Sequence, residues 1–338
     1  MNPLFRSVLA TAASAVLALS ATAPLAQDFQ ERTIKFGHLN NTDHPVSFGV
    51  KRFSELLAAK TGGKFKVQEF PSNQLGNEMQ QQSALQGGVQ EMSAPATTSL
   101  AGIVKEFGLV DFPFAVSTFE QADALLDGPL GLALIARLPE KGLVALGYWD
   151  LGFRNVTNSK RPIAKAEDLE GLKLRVIPNP VFLESFKAFK ANPVPMPFAE
   201  LYGALEAKAV DGQENPFAVI LSNKFFEVNK FVSATNHVYA ANIVLVSKRF
   251  WDKLSPAEQK AMHEAADEAR RYQRQVSRAA AQKAVGELQA KGMQYNTIAP
   301  AEQARMGAIV KPVLEKFASS YDPAIVKLYN DELAKVRK

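Results

Sequence analysis

Residues 32–90 alternate between two hydrophobic periods, and this alternation constrains the fold more than any other feature. Residues 32–38 and 64–70 alternate apolar and polar positions as strands do, whereas residues 46–59 and 77–86 show the helical period. Segments rich in Gly, Pro and Asn separate them. Strand and helix therefore follow one another along the chain, which predicts an α/β fold built on a sheet.

One helical pattern is much longer than the others. Ser255 is placed to cap it, Pro256 to take its first position and Glu258 to complete a capping box. The pattern ends at Gly292, so the helix would span about 35 residues and roughly 50 Å. Such a helix is either a coiled-coil arm or a spine that packs across two lobes. Its Ala-rich stretch near Ala280 favours the spine.

The amino-terminal segment has the three-part layout of a secretory signal peptide. Arg6 precedes an apolar run at residues 7–19, and small residues follow as far as Ala26. We predict a signal peptide at residues 1–26, with cleavage after Ala26 or within a few residues of it. No later segment is apolar enough for a membrane anchor, so we expect none.

An exported chain of 338 residues without Cys must be stabilised by a large core rather than by disulfides, which fits the bacterial periplasm. The length favours two lobes. The net charge of +5 is spread along the chain, and no basic run is interleaved with aromatic residues. Nucleic acid is therefore not an expected partner.

The sequence lacks the usual signatures of enzymes and metal sites. It has no Cys, no Gly-x-Ser-x-Gly, no phosphate loop and no dinucleotide fingerprint. His263 and Glu264 begin a zincin-like spacing, but Asp267 occupies the position of the second His. We expect no catalytic residue, no cofactor and no metal.

Two arginines are candidates for binding an anion. Residues 172–177 predict a strand, and Arg175 lies near its carboxyl end, where ligands bind in α/β sheets. Arg154 follows a second predicted strand that ends at Trp149. Guanidinium binds carboxylate through two parallel hydrogen bonds. Taken alone, an arginine is more often a surface residue than a ligand contact.

The segment 210–216 contains two turn signals, Asp211-Gly212 and Asn215-Pro216. A loop held by two turns would present a short polar side chain at a fixed place near the strand that carries Arg175. The alternative is an ordinary surface connection.

Together these segments resemble the DctP family, the solute-binding proteins of tripartite ATP-independent periplasmic (TRAP) transporters. The resemblance extends over nearly the whole mature chain, through ordered motifs at 36–38, 71–76, 152–158, 168–176, 195–202 and 211–216. It implies an α/β, two-lobed periplasmic binding protein (type II-like) with a long helix spanning both lobes. Lobe one would comprise 27–152 and 241–280, and lobe two 153–240 and 281–338.

The resemblance also implies a ligand site. Arg175 matches the arginine that forms the main salt bridge to a ligand carboxylate, and Asn215 the asparagine that hydrogen-bonds the same group. Arg154 matches a second arginine of many members, and Phe198 an aromatic residue that packs on the ligand. Further candidates have local capping or core packing as the alternative: Asn40, Glu78, Thr97, Trp149 and Tyr239. Asp211 and Glu214 are expected to point away from a bound carboxylate.

The predicted function is capture of a small organic acid, a mono- or dicarboxylate with a modest apolar part, and its delivery to membrane permease subunits. Two alternatives remain open. One is an exported enzyme that acts on a carboxylic acid, and the other is an extracytoplasmic sensor component.

Overall fold

A computed structural model describes residues 29–337 of the chain. The predicted signal peptide, residues 1–26, lies outside the described residues. Within the described part, no helix has both the length and the apolar character needed to cross a membrane.

Nine strands and eleven α-helices make up the described fold. The strands are β1 Arg32–Gly37, β2 Phe65–Phe70, β3 Met92–Ser93, β4 Leu143–Asn158, β5 Lys173–Val176, β6 Asn192–Pro195, β7 Gly212–Pro216, β8 Phe231–Ser247 and β9 Gln294–Thr297. The helices are α1 Pro45–Lys60, α2 Glu78–Gly87, α3 Phe119–Asp127, α4 Pro129–Ile135, α5 Pro180–Ala188, α6 Leu201–Glu206, α7 Phe217–Ser222, α8 Lys248–Trp251, α9 Pro256–Ala290, α10 Pro300–Ser320 and α11 Pro323–Val336.

The predicted alternation of strand and helix is confirmed at the start of the chain. β1 pairs in parallel with β2, and α1 connects the two strands. The alternating residues of β1 explain this arrangement, because Ile34 and Phe36 are fully buried while Thr33 is exposed. They pack on Val50, Phe53 and other apolar residues of α1, which form one core with the first half of α9.

The strands form one sheet in the order β2-β1-β3-β8-β4-β7-β5-β6, with β9 paired to β8. β4 and β8 are 16 and 17 residues long and pair with each other along their whole length. The first half of β4 and the last half of β8 belong with β1–β3, and their other halves with β5–β7. The two lobes are therefore joined by two continuous strands.

The strand β4 extends beyond its predicted limit. The sequence predicted a strand that stops at Trp149, but β4 continues to Asn158. Gly147 and Gly152 interrupt the apolar pattern of β4, and both adopt positive φ angles of 130° and 119°. Register shifts lie beside both of these glycines in the β4–β8 pairing. In a sequence pattern, a glycine at a bulge resembles the end of a strand, although the hydrogen bonds between the two strands continue past it.

The long helix α9 is confirmed with its predicted start. Ser255 accepts a hydrogen bond from the backbone N–H of Glu258, and the Glu258 carboxylate accepts one from the backbone of Ser255. The helix packs on α1 and β4 and, nearer its end, on α7. It therefore contacts elements of both lobes, as the spine alternative requires.

The two last helices pack on different parts of the molecule. α10 contacts α5, which lies in predicted lobe two, whereas α11 contacts α3 and α4, which lie in predicted lobe one. The prediction placed all of 281–338 in lobe two, whereas α11 packs on helices of predicted lobe one. The exact lobe boundaries stay a prediction.

Candidate functional site

A cavity lies where the two halves of the sheet meet, and we call it the central cavity. It encloses about 410 Å³ of space free of protein atoms, including its mouth. Its polar lining residues come from both lobes: Asn40, Glu78, Arg154, Arg175, Asn215 and Asn242.

Arg175 is buried on β5 and lines the cavity. Its Nε donates to the carbonyl oxygen of Met196 at 2.9 Å, which fixes the side chain. Its Nη1 is buried and has no hydrogen-bond partner among the described residues. Loss of water lowers the pKa of Arg175 to about 10, an effect that the neighbouring Glu214 opposes and Arg154 reinforces. The guanidinium remains charged at neutral pH and has a free donor at the cavity.

Arg154 is fully buried in the middle of β4, not after a strand end as the sequence predicted. It is bound by Glu214 of β7, whose carboxylate accepts from Nε and, at 2.8 Å, from Nη2. His237 reaches the same carboxylate at 3.1 Å. Burial would raise the pKa of Glu214, but Arg154 and His237 outweigh it and hold that pKa below its ordinary value. Arg154 Nη1 has no partner in the described structure.

Asn215 lies on a strand and not on the loop that the two turn signals predicted. β7 pairs with β4 along its whole length, and Asn215 lies opposite Asn155; on the other side β5 pairs with Gly212 and Gln213. Its Oδ1 accepts from Arg154 Nη2 at 3.2 Å, and its Nδ2 donates to Gln213 Oε1. Since an amide nitrogen has two N–H groups, one donor is left for the cavity.

Phe198 forms part of the apolar lining. The guanidinium of Arg175 lies 5.9 Å from the centre of its ring, so the ring covers the charged group. The other apolar lining residues are Leu39, Ala94, Ala96, Leu151, Ile177 and Val219. The arginines therefore face a small space with hydrocarbon walls, where a charge interaction is screened less than in water.

Asn40 and Glu78 line the cavity from the lobe-one side. Glu78 is the first residue of α2, and its Oε1 accepts from the backbone N–H of Ala96 at 3.1 Å. Burial raises the pKa of Glu78, although the Ala96 hydrogen bond and the charge of Arg175 offset part of the rise.

Three of the predicted contacts lie elsewhere. Trp149 packs between β4 and α1, where Gly49 leaves room for its ring, and it stacks on Phe36. Thr97 and Tyr239 line a separate, largely apolar space, and the Tyr239 hydroxyl donates to Asp150. The sequence gives the strand on which a residue lies, but bulges in β4 and β8 change which face each residue takes.

Asn242 is a lining residue that the sequence interpretation missed. It is buried on β8, its Nδ2 donates to the carbonyl of Ala94 at 3.0 Å, and its Oδ1 has no partner among residues 29–337. A usable signal was present, because Asn242 immediately precedes the apolar run Ile243–Val246. An amide at the edge of a buried strand needs a hydrogen-bonding reason.

Asp211 and Glu214, expected to point away from a ligand, do not line the cavity. Asp211 accepts from the backbone N–H of Lys173 at 2.9 Å, and Glu214 is taken up by Arg154 and His237. Across residues 29–337, no group of three His, Asp or Glu side chains is arranged to hold a metal ion.

Comparison with known proteins identifies the class that this fold and cavity define. The sequence profile of the bacterial extracellular solute-binding proteins, family 7 (DctP), matches residues 36–320. The chain therefore belongs to that family, and both the predicted resemblance and the two-lobed α/β fold are confirmed. Members of the family are solute-binding proteins.

Particular relatives are similar over most of their length. The 2,3-diketo-L-gulonate-binding periplasmic protein YiaO of Escherichia coli K12 is 38% identical over 292 residues, 86% of this chain and 88% of YiaO. The sugar acid binding protein DctPAm from Advenella mimigardefordensis, solved with galactonate, has a TM-score of 0.89 and 37% identity, covering 91% and 100% of the two chains. A TRAP periplasmic protein from Sulfurospirillum deleyianum, solved with succinate, has a TM-score of 0.84 and 29% identity, covering 89% and 99%.

Proposed function

We propose that the protein captures a small organic acid in the periplasm and delivers it to the membrane permease subunits of a TRAP transporter. The ligand carboxylate is held in the central cavity by Arg175, with Asn215 and Arg154 as further donors. Phe198 covers the bound group, and the two lobes close over it. The ligand is carried without chemical change.

The observation that carries the proposal is a pair of buried guanidinium nitrogens without partners. Nη1 of Arg175 and Nη1 of Arg154 are both buried, and no described residue accepts a hydrogen bond from either. A buried polar group left unpaired costs about 1–3 kcal/mol, and a charged one costs more. A ligand carboxylate supplies the acceptor oxygens that both nitrogens lack, and the negative charge that Arg175 lacks.

The relatives support the same class of ligand. Their names or bound molecules are 2,3-diketo-L-gulonate, galactonate and succinate, each of which is a carboxylate. They differ in length, hydroxyl content and number of carboxylates. Similarity alone therefore supports an organic acid as the ligand. Which kind of acid it is must be inferred from the residues that line this cavity.

An enzyme of carboxylic acids is the weaker alternative. The lining of the central cavity contains no Ser, Thr, His or Lys, and Glu78 is its one titratable carboxyl. Nucleophilic and general acid–base catalysis need a nucleophile next to a base, or two groups with separated pKa values. The described lining provides neither pair.

A thermal-shift screen tests the proposal. We expect at least one small organic acid to raise the unfolding midpoint by roughly 5 °C at a concentration about 100 times its Kd, because the ligand binds only the folded state. The primary amide of the same acid, which has the same shape without the charge, is the control and should give no shift. Mass spectrometry should recover the acid unchanged after long incubation. An equal shift with the amide, or a converted acid, would contradict the proposal.

A further inference from the structure

The two sides of the central cavity offer different hydrogen-bonding groups. Lobe two contributes donors, namely Arg154, Arg175 and the amide nitrogen of Asn215. The lobe-one lining contributes three polar side chains, Asn40, Glu78 and Asn242, which we call the acceptor wall. The described lining on that side contains no Lys, Arg, Ser, Thr or Tyr.

Asn242 fixes the character of this wall. Its Nδ2 donates one N–H to the Ala94 carbonyl, and its buried Oδ1 has no hydrogen-bond partner among the described residues. A carbonyl oxygen only accepts hydrogen bonds, so its missing partner must be a donor. A ligand carboxylate has no hydrogen to donate, whereas a ligand hydroxyl does.

Glu78 also favours a ligand that donates hydrogen bonds. The Ala96 N–H holds Oε1 in place, so the position of the carboxyl group is set by the protein backbone. When ionised, the carboxyl accepts from hydroxyl groups and repels a second carboxylate. When protonated, it satisfies one ligand oxygen but still leaves Asn242 Oδ1 without a donor.

The charges at the cavity balance at most one ligand anion. Arg154 is neutralised by Glu214 through two side-chain hydrogen bonds, so Arg175 is the guanidinium whose charge is not paired directly. Arg154, Arg175, Glu214 and Glu78 together carry no net charge with Glu78 ionised, and one positive charge with it protonated. In neither state does this set balance a ligand with two carboxylates.

We propose that the acceptor wall selects hydroxyl groups, so that the ligand is a polyhydroxylated monocarboxylate with its carboxylate on Arg175 and its hydroxyls on Glu78 and Asn242. This inference rests on the proposed capture of an organic acid and narrows its substrate class. It replaces the expectation of an acid with a modest apolar part, since an apolar tail leaves the acceptor wall unpaired.

Calorimetric titration of the mature chain, refolded to remove any bound ligand, tests the inference with ligands of matched carbon number. The aldonates D-gluconate, D-galactonate and L-gulonate have hydroxyls and one carboxylate. Hexanoate lacks the hydroxyls, and the aldarates glucarate and galactarate have a second carboxylate. We expect the best aldonate to bind roughly 5- to 150-fold tighter than hexanoate, because hexanoate leaves a buried acceptor unsatisfied. It should also bind tighter than either aldarate, because a second ligand carboxylate is repelled by ionised Glu78.

Two variants separate recognition from folding. Asn242→Leu should weaken binding of the best aldonate at least about tenfold and leave hexanoate binding equal or tighter. Glu78→Gln, at the cavity surface, should reduce the difference in affinity between aldonate and aldarate. Glu140→Gln, on the exposed surface, should leave both affinities unchanged. If hexanoate or an aldarate binds as tightly as every aldonate, or if both cavity variants leave the preference unchanged, the inference is wrong while acid capture stands. If no acid binds at all, the proposed function itself is wrong.

Discussion

The variant Arg175→Ala is expected to abolish acid binding while its ligand-free fold stays at least as stable as that of the parent protein. Truncating one partner of a buried, hydrogen-bonded charge pair costs about 2–5 kcal/mol, or roughly 30- to 5,000-fold in affinity. The ligand-free fold should not suffer, because the Arg175 guanidinium is buried with Nη1 unpaired and makes one side-chain hydrogen bond, to Met196. Calorimetry gives the affinity, and thermal unfolding gives the stability.

Two further variants serve as controls for Arg175. Arg175→Lys keeps a positive charge but loses the paired donors of the guanidinium, so its affinity should lie between those of the parent and Arg175→Ala. Arg52→Ala removes an exposed arginine on α1 and should leave affinity unchanged. An Arg175→Ala protein that binds the acid within twofold of the parent would rule out Arg175 as the carboxylate partner.

The second large effect is expected on stability. Glu214→Gln should destabilise the fold by about 3–5 kcal/mol at neutral pH, because it leaves Arg154 as a buried charge without its partner. Chemical denaturation measures the change. The matched control is Asp252→Asn, which breaks an exposed pair with Lys248 and should cost no more than about 0.5 kcal/mol.

The pH dependence of the Glu214 effect follows from the lowered pKa of that carboxyl. A carboxyl with a lowered pKa in the folded state contributes stability above its unfolded pKa, and this stability is lost as the pH falls through the folded value. Gln resembles the protonated form of Glu. The stability difference between parent and Glu214→Gln should therefore be largest above about pH 5 and shrink as the pH falls further. A difference that stays constant from pH 7 to pH 3 would show that the ion pair is not its source.

Local sequence patterns predicted the elements that rely on local signals. The α9 capping box at Ser255 and Glu258 is such a signal, and the structure contains it as predicted. The strand β7 is the opposite case. Asp211-Gly212 and Asn215-Pro216 are turn signals in isolation, but pairing with β4 and β5 holds Gly212–Pro216 extended. Tertiary pairing of this kind overrides local preference and cannot be inferred from the segment itself.

The same distinction applies to the site. Arg175, Asn215, Arg154 and Phe198 were predicted from ordered motifs, and the structure brings all four to the central cavity. Trp149 and Tyr239 were further candidates, yet Trp149 stacks on Phe36 and the Tyr239 hydroxyl donates to Asp150. Their orientation depends on bulges in β4 and β8, which change the face that each residue takes from that expected for a regular strand. The roles of all these residues in binding stay predictions.

A structure of the protein with its acid bound measures the central claim most directly. The account predicts a ligand carboxylate oxygen within about 3 Å of Arg175 Nη1, a second contact to the Asn215 amide, and ligand hydroxyls on Glu78 and Asn242. A ligand carboxylate seated against Glu78 and Asn242, or an acid bound outside the central cavity with Arg175 Nη1 still unpaired, would contradict it.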